Sequence, residues 1–293
     1  MIRWVDLFSQ SMSLQVTPLS IAPIFRRQVD ARRKAWILTS ATLSVGGDFA
    51  LFQERIGLET AETAMWESPF DYAANALLYL PAGLPEPTAP MFTERVVAAT
   101  LPAIQASHGR AFLLFTTLRG MRLAHELLER AFKEQSIEFP LLLQGQGTKT
   151  DLLDRFRKLG NAVLVASHSF WEGVDVRGEA LSLVMIDKLP FAPPDDPVLA
   201  ARLEHLTREG RNAFIDYQVP QAAITLKQGA GRLIRDEQDR GVLMICDPRL
   251  VGRSYGKRIL ASLPPMQRTR NIADVVEFFD GFGRIVDQNE ESA

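Results

Sequence analysis

Short runs of consecutive apolar residues alternate along the chain with longer stretches in which apolar residues recur every three or four positions. Ala111–Phe115 (AFLLF), Ala162–Ala166 (AVLVA), Leu181–Ile186 (LSLVMI) and Gly241–Cys246 (GVLMIC) have almost no polar positions. Strands of that kind are buried on both faces, as in a parallel sheet covered by helices. Ala35–Thr39 (AWILT), Asn75–Leu80 and Leu141–Leu143 predict further strands. Leu123, Leu127, Leu128 and Ala131 fall at helical spacing within Arg119–Gln135, as do Leu152, Leu153 and Phe156 within Lys149–Lys158. Helices are also predicted over Gly47–Ile56 and Glu94–Ser107 (with Pro102 inside it), within Pro197–Arg208 and Ile215–Leu233, and near Ser254–Ala261. Residues 81–90 hold four of the 17 prolines and predict a loop. Repeated strand–helix units with such apolar strands predict an α/β fold built on an open parallel sheet. In such sheets ligands gather beyond the carboxyl ends of the strands. That points to Ser40-Ala41-Thr42, Thr116-Thr117, Ser167–Asp175 and Asp187-Lys188.

Charge and cysteine usage narrow the classes. The 33 Lys and Arg against 35 Asp and Glu give a net charge of −2, which excludes a uniformly basic nucleic-acid binder but not a local basic groove. The one cysteine, Cys246, excludes an internal disulfide, a four-cysteine zinc site and an iron–sulfur cluster held by this chain alone. No metal is expected on the four scattered histidines. No apolar run approaches the roughly 18 residues that span a bilayer, and the first residues lack the layout of a signal peptide. The expectation is a cytoplasmic protein with no membrane partner.

Two stretches carry chemistry. Gln228-Gly-Ala-Gly-Arg232-Leu-Ile-Arg235 sets two arginines three apart after two glycines, and guanidinium groups suit phosphate. On an extension of the preceding helix they would share one face. By itself the segment is also compatible with a solvated helix face. Residues 167–178 pack hydroxyls, aromatics and two carboxylates into a turn after a buried strand, which by itself is compatible with a solvated loop. Gly145-Gln146-Gly147-Thr148-Lys149-Thr150 is glycine-rich, but its Gly–Lys spacing is not that of GxxxxGK(S/T); it predicts a turn and a helix N-cap.

Taken in order, WILTSATL at 36–43, LLFTT at 113–117, LLLQG at 141–145, SFWEGVDVRGEALSLVMIDKLPF at 169–191 and QGAGRLIR at 228–235 resemble superfamily 2 helicases. The resemblance is to the DinG/YoaA branch of the XPD-like DNA helicases. It implies a RecA-like open parallel sheet with helices on both faces, forming the second helicase lobe (73–293), preceded by the tail of the first lobe (1–72). It implies that Arg232 and Arg235 act as arginine fingers on ATP, with Gln228 beside the nucleotide and the other lobe. Glu172, Gly173, Asp175 and Gly231 would lie at the nucleotide. Thr116, Thr117, Ser167, His168 and Ser169 would touch DNA, and Ser40, Ala41 and Thr42 would couple hydrolysis to movement. The implied cofactors are ATP and Mg²⁺, held mainly by the first lobe, and the partners are single-stranded DNA and that lobe. The implied polarity is 5′ to 3′. Neither a GxxxxGK(S/T) loop, a DEAH-type box nor the four cluster cysteines of many relatives occurs here, so the sequence reads as the C-terminal part of a longer helicase that is inactive alone. The alternative is a non-catalytic RecA-like interaction or regulatory module without the motor half.

Overall fold

The computed structural model describes residues 1–31, 34–167, 170, 180–193 and 195–290, the stretch 282–290 by backbone alone. The chain forms two compact units. One comprises Met1–Glu67, Phe191–Thr225 and Arg258–Ser262; the other comprises Ser68–Pro190, Leu226–Lys257 and Leu263–Ala293.

The first unit opens with an antiparallel hairpin, β1 (Ile2–Leu7) and β2 (Met12–Thr17). Its register pairs Val5 with Leu14 and Leu7 with Met12 on the exposed side, while Trp4 and Thr17 on the other side share a hydrogen bond of 3.1 Å. Helices α1 (Ala22–Asp30) and α2 (Ala50–Ile56) follow. Ala35–Thr39, expected as a buried strand, forms no strand and is exposed, Ile37 at 83%. An apolar run becomes a strand only where neighbouring strands take up its N–H and C=O groups, and no strand of the described residues pairs with this run.

The second unit begins with the one-turn helix α3 (Tyr72–Asn75), capped by Asp71, and continues into β3 (Ala76–Tyr79). It continues through α4 (Phe92–Ala106), β4 (Ala111–Phe115), α5 (Leu118–Glu134), β5 (Leu141–Leu143), α6 (Lys149–Leu159), β6 (Val163–Ser167) and β7 (Leu183–Ile186). The chain then passes to the first unit for α7 (Pro197–Arg208) and a π-helical turn, Phe214–Gln218. It returns along α8 (Val219–Ala230) to β8 (Gly241–Ile245), α9 (Arg249–Gly252), α10 (Ser254–Ser262), β9 (Gln267–Thr269) and α11 (Ile272–Glu290).

Among the described residues seven strands form one parallel sheet in the order β5-β6-β4-β7-β8-β3-β9. Alternate residues of the central strands, among them Leu113, Val165, Met185 and Met244, bury one sheet face under α4, α5 and α11. Phe112 points the other way and meets Phe156 of α6, ring centroids 4.5 Å apart. Both faces are therefore covered, which is why these strands carry apolar side chains at successive positions. Pro102 sits on the exposed side of α4, where the Ala98 carbonyl left without its donor can meet water. The glycine-rich segment before α6 is a turn with positive φ at Gly145 (102°) and Gly147 (151°), and Thr148 caps the helix by accepting from the Asp151 amide at 3.2 Å.

Candidate functional site

The carboxyl rim of the sheet is a band of polar groups, each tied to its neighbour. Thr116, just beyond β4, donates its amide to Asp187 Oδ1 at 2.9 Å and its hydroxyl to Oδ2 at 3.4 Å. The Lys188 amide donates to the same Oδ1 at 2.8 Å. Thr117 is the N-cap of α5 and accepts from the Gly120 amide at 3.2 Å. Ser167, at the end of β6, donates its amide (2.7 Å) and its hydroxyl (2.8 Å) to Gln144 Oε1 beyond β5. Beyond β8, Asp247 is buried, accepts the Leu189 amide at 2.8 Å and pairs with Arg249 at 2.6 Å. Thr116, Thr117 and Ser167 thus share one rim, as their positions after strands required. His168, Ser169, Glu172, Gly173 and Asp175 belong to the same loop by sequence but lie outside the described residues.

Asp187 stands on this rim as its position after a strand predicts, but none of the motifs assigns it a role. It is 3% exposed, and burial raises its carboxyl to about 6 against the three hydrogen bonds and the Lys188 charge that favour ionisation. Cys246, likewise buried, has its thiol pushed far up by burial and by the charge of Asp187, so it is inert packing rather than a nucleophile. The folded chain holds the Asp187 proton more tightly than the unfolded chain. Stability from this group is therefore complete below about pH 4, is lost as pH rises through about 6, and stays lost above it. The total is on the order of 3 kcal/mol by pH 8. Asp187→Asn keeps an oxygen for the Thr116 and Lys188 amides and removes the titration. Its stability relative to the parent is expected to rise between pH 4.5 and pH 8, measured as urea midpoints. Parallel pH profiles for the two proteins would show that Asp187 titrates normally.

The arginine segment lies elsewhere. Helix α8 ends at Ala230, so Arg232 and Arg235 do not share a helix face, contrary to the expectation from their spacing. Gly231 makes the last i→i−4 bond, to the Lys227 carbonyl at 2.9 Å; Arg232 and Leu233 then bond back only three residues, each at 3.1 Å, and the helix stops. The physical reason is the adjacent buried pair, Leu233 (3%) and Ile234 (2%), which draws the backbone toward the core. Leu233 packs so closely on Gly241 that a Cβ there would lie 2.5 Å from its Cδ1 and 2.6 Å from the Ser182 carbonyl. Asp239 closes the loop by accepting the Arg235 and Asp236 amides at 2.7 and 2.8 Å. Asn75, before β3, holds Arg240 Nε at 3.0 Å and donates to the Glu237 carbonyl at 3.2 Å. Residues 231–240 therefore run along the amino rim, where β3 and β8 begin. Gln228, in the last turn of α8, Gly231, Arg232 and Arg235 are all partly exposed there. Burial lowers the pKa of the neighbouring Lys227 ammonium.

Ser40, Ala41 and Thr42 occupy a third place, in the first unit. The Ser40 hydroxyl accepts from the Thr42 amide at 3.3 Å and lies 3.3 Å from the Thr42 hydroxyl, a local turn. Among the described residues no group of three or more His, Cys, Asp or Glu could hold a metal ion, and no helix is long and apolar enough to cross a membrane.

Residues 100–266 match the helicase C-terminal domain family. The chain is 50% identical over 275 residues to an ATP-dependent DNA helicase YoaA of Escherichia coli (strain K12), covering 94% of this chain and 42% of that protein. It is 38% identical over 273 residues to an ATP-dependent helicase DinG of Mycobacterium tuberculosis (strain ATCC 25618 / H37Rv), covering 89% and 39%. The chain thus spans about two-fifths of the length of these curated relatives. An apo XPD structure shares the fold at TM-score 0.51 and 19% identity, covering 67% of this chain and 40% of that one. The covered parallel sheet, the ordered motifs and the match across more than half its length place the chain in the helicase C-terminal domain family, as a RecA-like lobe of the DinG/YoaA type.

Proposed function

We propose that this chain serves an ATP-dependent DNA helicase as its second RecA-like lobe together with the tail of the first, divided near residue 72. In this reading Arg232 and Arg235 are arginine fingers, and Gln228, Gly231, Glu172, Gly173 and Asp175 line the nucleotide. The observation that carries it is the anchored loop after α8. Leu233 and Ile234 are buried between two partly exposed arginines, so the backbone that bears the guanidinium groups is fixed. Phosphoryl transfer asks for that kind of positioned positive charge more than for covalent chemistry. Arg232 and Arg235 fit the phosphates of ATP; Mg²⁺ falls to the first lobe. Thr116, Thr117, Ser167, His168 and Ser169 would line the single-stranded DNA track on the opposite, carboxyl rim, with 5′ to 3′ movement. Ser40, Ala41 and Thr42 would couple the two lobes. The exposed apolar run 35–39 supports the assignment to a first-lobe tail, because its missing partner strands would come from that lobe.

Purified by itself with Mg²⁺, ATP and single-stranded DNA, the chain is expected to release phosphate only at background. Joined to a P-loop lobe of the same family, it is expected to turn over ATP in a DNA-dependent way. DNA-stimulated turnover that co-elutes with the isolated chain would overturn the reading, and silence of the joined protein would favour the non-catalytic module.

Single-strand binding by the isolated chain is expected to be weak at low salt and nearly absent at physiological salt, because a local strip on a chain of net charge −2 neutralises few phosphates. Fluorescence anisotropy at two salt concentrations checks this, and salt-independent binding would refute it.

A further inference from the structure

The first compact unit contains a half-open cavity of about 550 Å³ that none of the helicase motifs lines. That volume is in the range of small-molecule sites and well above what a bare ion needs. Its walls are part apolar, with Leu19, Leu51 and Leu206, and part charged.

Two guanidinium groups from different helices converge in it on one tyrosine. Arg55 of α2 lies over the Tyr217 ring, Cζ 4.8 Å from the centroid. Its Nη1 donates to Gln221 Oε1 at 2.7 Å, and its Nη2 is buried with no hydrogen-bond acceptor among the described residues. Arg202 of α7 donates Nη1 to the Tyr217 hydroxyl at 3.1 Å. Of the carboxylates that line the cavity, Glu54 is taken by Arg211 in a two-point pair and Asp216 lies 4.0 Å from the same guanidinium. Glu209 sits 3.3 Å from His205. Among the described residues neither Arg55 nor Arg202 has a carboxylate within ion-pair distance. Burial lowers the pKa of the Arg55 guanidinium; Tyr217 and the Glu54 carboxylate oppose the shift and the like charge of Arg202 adds to it. Arg55 keeps a buried N–H without an acceptor among the described residues, and Arg202 sets a second guanidinium beside the same half-open space, an arrangement that an anion would relieve.

We propose that this cavity binds a phosphate group carried on a body of nucleotide size, its oxygens taken by Arg55 and Arg202. Two planar forks from separate helices suit the several oxygens of a phosphate. The tyrosine and the leucines offer a surface to the attached base or sugar. The phosphate comes either from a free mononucleotide or from one nucleotide of a strand. The site shares no residue with the motif roles proposed above, although a division near residue 72 would assign its α2 wall to the first lobe and its α7 wall to the second.

The test is titration calorimetry of the chain with 5′-dAMP at low salt, repeated for Arg202→Gln and Arg55→Lys. The first variant keeps a donor for the Tyr217 hydroxyl and the second keeps the charge but loses the fork. Saturable binding is expected in the parent, weakened about tenfold or more in each variant, the loss of roughly one charge-assisted contact. Arg55 is deeply packed; should its variant fail to fold, Arg202→Gln decides alone, with its urea midpoint confirming the fold. Displacement of 5′-dAMP by a dT oligonucleotide without a terminal phosphate would assign the phosphate to a strand, and no displacement would assign it to a free nucleotide. Either outcome upholds the site. No binding by the parent, equal binding by both variants, or a loss in Arg232→Gln but not in Arg202→Gln would overturn it.

Discussion

Arg235→Ala, placed in a protein that joins this chain to a P-loop lobe, is expected to slow DNA-dependent ATP turnover by about 10³-fold or more, the range for removal of an arginine finger. The anchors of its loop are Leu233, Ile234 and the Arg235 amide on Asp239, and truncating the side chain removes none of them. The variant is therefore expected to fold and to bind ATP, with the loss in kcat. Arg232→Lys is expected to be damaging as well, because an ammonium cannot present a planar fork. Steady-state phosphate release against ATP concentration separates kcat from KM. A near-normal kcat in Arg235→Ala would reject the finger assignment and return these arginines to a solvated amino rim.

Phe156→Ala carries the largest expected loss of stability. Phe156 is fully buried and tilts against Phe112 at 4.5 Å, on the sheet face that α6 covers. Truncating a buried phenylalanine removes its transfer free energy and leaves a cavity, together costing about 3–5 kcal/mol. The urea midpoint of the isolated chain checks this, with far-UV circular dichroism to confirm that the native state persists below it. A loss under about 1 kcal/mol would mean that α6 settles onto the sheet and closes the gap.

The sheet was readable because each central strand is buried on both sides and so is apolar at successive positions. Ala111–Phe115 and Leu141–Leu143 are bounded in the structure as the sequence predicts, and the helix expected within Pro197–Arg208 fills that range as α7, capped by Asp196. The same rule misled at Ala35–Thr39, where composition favours a strand but the described residues provide no neighbour. The hairpin β1–β2 was missed because its alternation turns Val5, Leu7, Leu14 and Val16 outward, the reverse of the pattern that marks a strand packed on a core. Strand β9 was missed because Gln267 and Arg268 are exposed and leave no apolar run. At the candidate site, residue types and order were readable, but the end of α8 was not. The spacing of Arg232 and Arg235 suggests a helix face, whereas the buried Leu233-Ile234 pair between them ends the helix. Asp187 could not be recognised as a shifted carboxyl, because its pKa comes from burial at a rim that only the folded sheet creates.

The strand order bears on how the chain can be synthesised. β3 is made early, yet both of its neighbours, β8 (Gly241–Ile245) and β9 (Gln267–Thr269), are among the last strands to leave the ribosome. β4 is better placed, since β6 and β7 on its two sides arrive sooner. During synthesis the sheet is therefore expected to grow outward from β4, with Ala76–Tyr79 docking after more than half the domain has emerged. Pairing at such sequence separation is slow, and until it occurs an entirely apolar strand has no partner to shield it. A nascent chain stalled before Gly241 would expose β3 on both edges, which makes that interval the one in which chaperone binding or aggregation is decided.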